Sequence, residues 1–476
     1  GYDSPGNCSV TSPSPLNPRR WRLSPRLIPA SPCPLAEEFR SPITRALNRA
    51  PDSLFSLYAV AAAFTAYFCM DAFRKPFSAA SYEEVELTVE LFGRALEPKT
   101  IFVISQIIGY CLSKYLGMKF CSEARRSRLW IYLVCVILIA WTTLLLFAIL
   151  PTPLKVLAIF LNGIPLGMVW GLVVRFLEGR HTSELLLAGL SCSYILASGE
   201  VKSVGTWLMN DVGVAQFWMP FATAAIFLLP FFVAVFLLAQ LPPPTKEDIK
   251  LRTERLRMNR SQRWTFLKTF LPGMVFLCVA YFFLTAYRDF RDNYQVEIFI
   301  EMGITNSDAF SKTERPIAFA VMACLVALYF IRNNRWGLIG AYVIMLGGLV
   351  LMGGSTALFQ AEQISGQTWM ILSGLGAYLA YVPYGSVLFD RTIAYTSFAG
   401  TAVFAIYLTD AIGYTGSVGI QLYKDLFQGE SSRLSFMLGF THFMSLLGFV
   451  LILLSLLYFL RRKSTTAGDE QPAPKT

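Results

Sequence analysis

Charge is what this chain has least of: 15% of its 476 residues are Asp, Glu, Lys or Arg, two are histidines, and the nine cysteines form no CxxC pair. With 54% hydrophobic residues, so little charge excludes a soluble globule, which would have to hide more apolar side chains than one core can hold. The scattered cysteines and two histidines exclude a metal centre and a disulfide framework, so neither metal nor cofactor is expected. No GxxxxGK(S/T) loop is present to cradle a nucleotide phosphate, and no nucleophile is paired with a base, which argues against an enzyme. The basic residues of the N-terminal stretch are not followed by a short apolar run with a small-residue cleavage site, so no signal peptide is expected.

What the chain does have is long apolar runs. A hydrocarbon core about 30 Å thick needs roughly 20 apolar residues per helix. Twelve such stretches can be placed, at 53–80, 99–118, 130–150, 154–177, 185–209, 218–240, 269–297, 314–332, 336–357, 368–388, 395–422 and 434–460. The expected fold is therefore all-α and membrane-embedded, with twelve transmembrane helices in two pseudo-symmetric six-helix bundles. Residues 1–50 read as a Pro/Ser-rich disordered tail. Residues 51–240 form the first bundle, 241–268 a charged connector whose middle can form a surface helix, 269–460 the second bundle, and 461–476 a C-terminal tail.

A net charge of +10 raises the question of nucleic acid, which the placement of the charge answers. If the N-terminus is inside, 28 Lys and Arg fall in inner segments and 7 in outer loops. That asymmetry follows the positive-inside rule, places both termini in the cytoplasm and makes the lipid bilayer, not nucleic acid, the partner. Six basic residues remain within or at the ends of the apolar stretches: Arg74, Lys75, Lys114, Lys202, Arg288 and Arg291.

Two of the six belong to a repeat. AYFCMDAFR (Ala66 to Arg74) and AYFFLTAYR (Ala280 to Arg288) share AYFxxxA(F/Y)R, at the same depth of the first helix of each half. Parallel six-helix repeats place a substrate site near the midplane between them. On a helix, Tyr67, Asp71 and Arg74 share one stripe, and Tyr281, Thr285 and Arg288 the matching one. Two arginines are thus expected to face each other across a central cavity.

With these motifs in place, the chain resembles the major facilitator superfamily, and within it the organophosphate:phosphate antiporter branch of glycerol-phosphate and hexose-phosphate carriers. Arg74-Lys75-Pro76-Phe77 is similar to that branch's Arg-Lys-Asn-Phe, and Tyr110-Cys111-Leu112-Ser113-Lys114 to its Tyr-Gly-Phe-Ser-Lys. Tyr287-Arg288-Asp289-Phe290-Arg291-Asp292 resembles Arg-Tyr-Gly-Ile-Leu-Asp with the acid one place off. Gly167-Met168-Val169-Trp170, Tyr381-Val382-Pro383 and Gly400-Thr401-Ala402 fit as well. There are two departures. The loop Gly117 to Arg128 lacks the superfamily's Asp-Arg step, and the branch's histidine on the fifth helix is missing: His181 lies in the preceding loop and His442 on the twelfth helix.

The resemblance implies anion/phosphate exchange by alternating access, with Arg74 on the phosphate and Lys114 near the site. A phosphate monoester is dianionic, arginine's fork holds it bidentately, and lysine adds a mobile charge. Substrate contacts are accordingly expected from Arg74, Arg288, Lys114, Tyr67 and Tyr281, and coupling or gating from Glu200, Asp410, Asp71 and Asp292. The plainer alternative pairs Arg74 with Asp71 and Arg288 with Asp292 as internal ion pairs, and gives Glu200 a partner on a neighbouring helix. Lys75 and Arg291 are expected to snorkel to the outer surface. Tyr381 and Tyr384 are either cavity-lining or packing residues. Two other functions remain open: a sensor that binds an anion and signals to a cytoplasmic partner, and a transporter of a carboxylate, sugar or lipid-like molecule.

Overall fold

The computed structural model describes residues 41–177, 183–243, 260–396, 402–429 and 431–462. These form fifteen α-helices, labelled in chain order: α1 Pro42–Arg49, α2 Asp52–Asp71, α3 Pro98–Glu123, α4 Leu129–Ile149, α5 Thr152–Leu177, α6 Ser183–Asn210, α7 Met219–Ala239, α8 Arg260–Asn293, α9 Gln295–Glu301, α10 Ala309–Tyr329, α11 Asn334–Gln360, α12 Gly366–Ser386, α13 Leu388–Thr396, α14 Ala402–Phe427 and α15 Arg433–Arg461. A small hairpin, β1 Glu90–Leu91 paired antiparallel with β2 Arg94–Ala95, caps the end where α2 finishes and α3 begins, called here the far end. Its turn residues, Phe92 and Gly93, both have positive φ, as a tight hairpin turn requires.

The long helices pair in the same way in both halves. In the first, α2 packs on α6 and α7, α3 on α5, and α4 on α5 and α7. In the second, α8 packs on α14 and α15, α10 on α12, and α11 on α12 and α15. Across the seam α6 meets α10 and α3 meets α14, so equivalent helices swap partners about a pseudo-two-fold axis. Each half has its own core, and a smaller cluster that includes Cys192, Ile195, Ile317, Val321 and Tyr378 joins α6 to α10 and α12.

Seven of the long helices are apolar enough to cross a membrane by length and composition: α2, α4, α5, α7, α8, α11 and α15. An eighth is the pair α12 and α13, bent by 51°. The other four, α3, α6, α10 and α14, are those that meet across the seam, and they carry charges there, such as Lys202, Glu314 and Asp425. A helix facing protein on its polar side needs less apolar surface than one facing lipid all round, which is why composition alone recovers fewer than the twelve stretches.

Several sequence boundaries shift. The first helix ends at Asp71 rather than near residue 80, because Pro76 cannot supply a helical N–H and constrains the residue before it; residues 76–79 form a 3-10 turn instead. Segment 117–128, expected as a loop, stays helical to Glu123. At the end of the expected tail, α1 is capped by Ser41, whose Oγ accepts from Thr44 N at 3.2 Å. Thr44 Oγ1 donates to the Gln240 carbonyl after α7 at 2.9 Å, tying α1 to the bundle. α8 begins at Arg260, inside the expected connector, and is kinked at Phe270, two residues before Pro272. The connector's surface helix falls on 244–259, outside the described residues.

Helices α3 and α5 approach so closely at Gly163 that a Cβ there would lie 2.4 Å from the Gln106 carbonyl oxygen. Gly163→Ala should therefore force the pair apart and lower the melting temperature in detergent, by about 1–3 kcal/mol of overpacking. Gly347→Ala on α11, with nothing within 4 Å of its Cβ, should leave the melting temperature unchanged or slightly raised.

Candidate functional site

The repeated arginines lie at the seam, in different circumstances. Arg74 follows the end of α2, and its guanidinium stacks on the Tyr110 ring of α3, 4.2 Å from the centroid. Gln106, one turn before Tyr110, donates to the Arg74 carbonyl at 3.1 Å and to Asn162 Oδ1 at 2.9 Å, fixing the backbone that carries the fork. Arg74 Nε is buried with no acceptor, and no described carboxylate pairs with the guanidinium. Arg288 on α8 stacks in the same way on Tyr381 of α12, again at 4.2 Å. Its Nε and Nη2, however, both donate to Asp289 Oδ1, at 2.9 and 2.6 Å. Asp289 Oδ2 in turn accepts from Ser417 on α14 at 2.6 Å.

The expectation of two equivalent facing cations is thus corrected: one fork is open and the other neutralised. Neither internal pair of the plainer alternative forms. Asp71 is 1% exposed and both its oxygens lack a hydrogen-bond partner. Asp292 turns away from Arg288 and receives Lys75, Ser198 and Lys202, the last at 2.5 Å. Two cations of the first half, half-buried Lys75 and fully buried Lys202, therefore converge on one carboxylate of the second.

The expectation for Lys75 and Arg291 is also corrected. Lys75 does not snorkel outward, because the chain leaves the helix at Asp71 and turns toward Asp292. Arg291 is 2% exposed; its Nη1 donates to Glu314 Oε1 at 2.8 Å and its Nη2 to the Met370 carbonyl at 2.9 Å. Gly374 leaves room for it, since a Cβ there would sit 2.5 Å from Arg291 Nη2. Glu200 pairs with Arg315 of α10, with Nη2 to Oε2 at 2.9 Å, which is the neighbouring-helix role. Lys99 reaches Glu297 at 2.5 Å, and Arg433 bonds both Glu97 and Asp425. The pairs joining the halves, Lys75–Asp292, Lys202–Asp292, Lys99–Glu297, Arg315–Glu200 and Arg433–Glu97, gather toward the far end and tie the halves together there.

The remaining expected residues surround the two forks. Lys114 lies 4.8 Å from the Tyr110 ring centroid, beside Arg74. Tyr67 packs edge-on against Trp170 at 5.0 Å. Tyr281 donates to Asp410 Oδ1 at 2.6 Å and stacks on Tyr381 at 5.1 Å. Gly413 makes that contact possible: a Cβ there would meet Tyr281 Cε1 at 2.9 Å, so α14 lies directly against α8. Tyr110 and Tyr414 meet across the seam at 5.5 Å. Of the glycine motifs, Gly400 and Thr401 fall outside the described residues, as does His181; His442 bonds Gln360 at 2.8 Å on an exposed face.

Sequence reasoning missed the roles of Asp289, Ser417, Gln106 and Tyr414. Asp289 had a local signal, its place beside Arg288, but a separation of 128 residues from Ser417 leaves no trace in spacing. Among the described residues, no group of three or more His, Cys, Asp or Glu is placed to hold a metal.

Two like-paired helical halves meeting at a seam are an arrangement that solved structures share. A D-xylose–proton symporter matches with a TM-score of 0.56 and 16% identity, covering 88% of this chain and 100% of that one. A bacterial homologue of the human lysosomal transporter Spinster, in an inward-facing and unoccupied conformation, matches with a TM-score of 0.55 and 10% identity, over 88% and 97%. At these identities the likeness shows the fold alone. The chain belongs to the family of unknown function DUF5690, whose model matches residues 76–462. No curated protein matches the sequence.

Proposed function

We propose that this protein is a secondary transporter of a small organic anion, phosphorylated in the preferred case, which it exchanges by alternating access between its halves. The observation that carries the proposal is Arg74: a guanidinium 4.2 Å from the Tyr110 ring centroid, at the seam, with no described carboxylate paired to it. A cation at membrane depth is retained where it faces a wet cavity or a partner, and an arginine fork fits the oxygens of a phosphate or carboxylate. Lys114 adds a second positive charge beside it.

In this reading all twelve long helices cross the membrane, the four charged ones shielded at the seam. The Lys and Arg asymmetry then puts both termini in the cytoplasm and the ion-paired far end outside. The cycle breaks those pairs and closes the opposite end, driven by the difference in anion affinity between the two states. Asp71, buried without donors among the charges of Lys75, Arg74, Lys202 and Arg288, is the candidate group for coupling, since an ionised carboxylate in that position is costly.

The test is counterflow: labelled inorganic phosphate should enter proteoliposomes preloaded with phosphate or a phosphate monoester, and should not enter empty ones. Phosphate or an ester raising the melting temperature without counterflow would support an anion sensor instead. Neither binding nor counterflow across phosphate, sulfate and carboxylates would remove the anion reading.

A further inference from the structure

The two half-sites carry opposite charge, and this points to the substrate. On the first half, Arg74 is open toward the seam. On the second, Arg288 is cancelled by Asp289 at 2.6 Å, and the charge left over is Asp410. Its Oδ1 accepts from Tyr281, its other oxygen accepts from no described residue, and no described cation pairs with it. Asp410 is half-buried, as it would be at the edge of a wet cavity.

Aromatic faces surround this carboxylate. The Tyr281 ring lies 5.1 Å from Tyr381 and 4.6 Å from Tyr384. Tyr414 stands one helical turn after Asp410 on the same face of α14, and Tyr381 stacks on the Tyr281 ring whose hydroxyl bonds Asp410. Tyrosine faces around a carboxylate are the chemistry that recognises an ammonium group. From there Tyr414 leads across the seam to Tyr110, at 5.5 Å, on which Arg74 rests. An open cation and an open anion thus lie at opposite ends of one row of tyrosines.

We propose that the transported anion is a zwitterion, with its phosphate or carboxylate on Arg74 and an ammonium group in the Tyr281, Tyr381 and Tyr414 surround of Asp410; this rests on the anion reading of Arg74. A zwitterion satisfies both half-sites at once and draws the halves together, while a simple anion leaves Asp410 uncompensated. Asp289 acquires a reason too, because a free Arg288 on the Tyr381 face would repel an ammonium.

The experiment uses the full chain in lipid nanodiscs and measures displacement of labelled inorganic phosphate. The competitors are ω-aminoalkyl phosphates of increasing chain length, each compared with the alkyl phosphate of matched length. At the best length the amine is expected to bind about tenfold tighter than its alkyl match, as a desolvated ammonium–carboxylate and aromatic contact would give. Asp410→Asn should bring that ratio to about one, and Asp410→Glu should keep it with the optimum at a shorter chain. If phosphate binds through Arg74 but no length favours the amine, the zwitterion proposal is overturned and the anion reading stands. A ratio unchanged in Asp410→Asn overturns the assignment to Asp410. If neither series nor phosphate binds the wild type, the anion reading fails and this proposal falls with it. Should Asp410→Asn not fold, the wild-type length series and Asp410→Glu decide between these outcomes.

Discussion

Replacing Arg74 with lysine is expected to weaken phosphate binding by about 10- to 100-fold, with a matching loss of exchange. Lysine keeps the charge but loses the fork, and one charge-assisted hydrogen bond is worth about 1.5–3 kcal/mol. It also loses the guanidinium's contact with the Tyr110 ring. Arg288→Lys is expected to have the smaller effect on phosphate affinity, since Asp289 already satisfies that guanidinium through two hydrogen bonds. Isothermal titration of inorganic phosphate, beside counterflow, measures both. Equal losses in the two variants would mean that Arg288 leaves Asp289 for the substrate, and that the halves act as twins. No loss in Arg74→Lys would discard Arg74 as the anion site.

The largest expected effect on stability is at Asp292. It is 6% exposed and is the shared counter-charge of Lys75 and of Lys202, which is fully buried. Asp292→Asn leaves two lysines confronting each other with no carboxylate between them, and breaking a buried ion pair from one side costs about 3–5 kcal/mol. The melting temperature of the purified protein should fall accordingly. Adding Lys202→Met to Asp292→Asn should recover part of the loss, because the second stranded charge is then removed. A variant as stable as the wild type would show that this cluster does not hold the far end. Since the cluster joins α6 and the segment after α2 to α8, Asp292→Asn should also expose far-end positions to a membrane-impermeant thiol reagent, read at a cysteine introduced at Ser203.

The class of this protein was legible in the sequence because lipid imposes a one-dimensional rule. A helix facing lipid must be about 20 apolar residues long, so seven spans, or eight with the bent pair, can be read from composition without knowing what touches what. The repeat AYFxxxA(F/Y)R was legible for a similar reason: two halves built alike keep their first helices alike, and the pairing of α2 with α6 and α7 recurs as α8 with α14 and α15.

Which charges remained open was decided only in three dimensions. Arg74 and Arg288 are equivalent in the repeat, yet Asp289 and Ser417 neutralise one and nothing described neutralises the other. Asp292 sits at the helical spacing for Arg288 and instead takes Lys75 and Lys202, because a charge removed from water goes to whichever partner the packing brings nearest. Asp410 is 129 residues from Tyr281 and reaches it only because Gly413 lets two helices touch. Burial of charge demands a partner, and the sequence states the demand; the tertiary packing alone determines which residue meets it and which is left for a substrate.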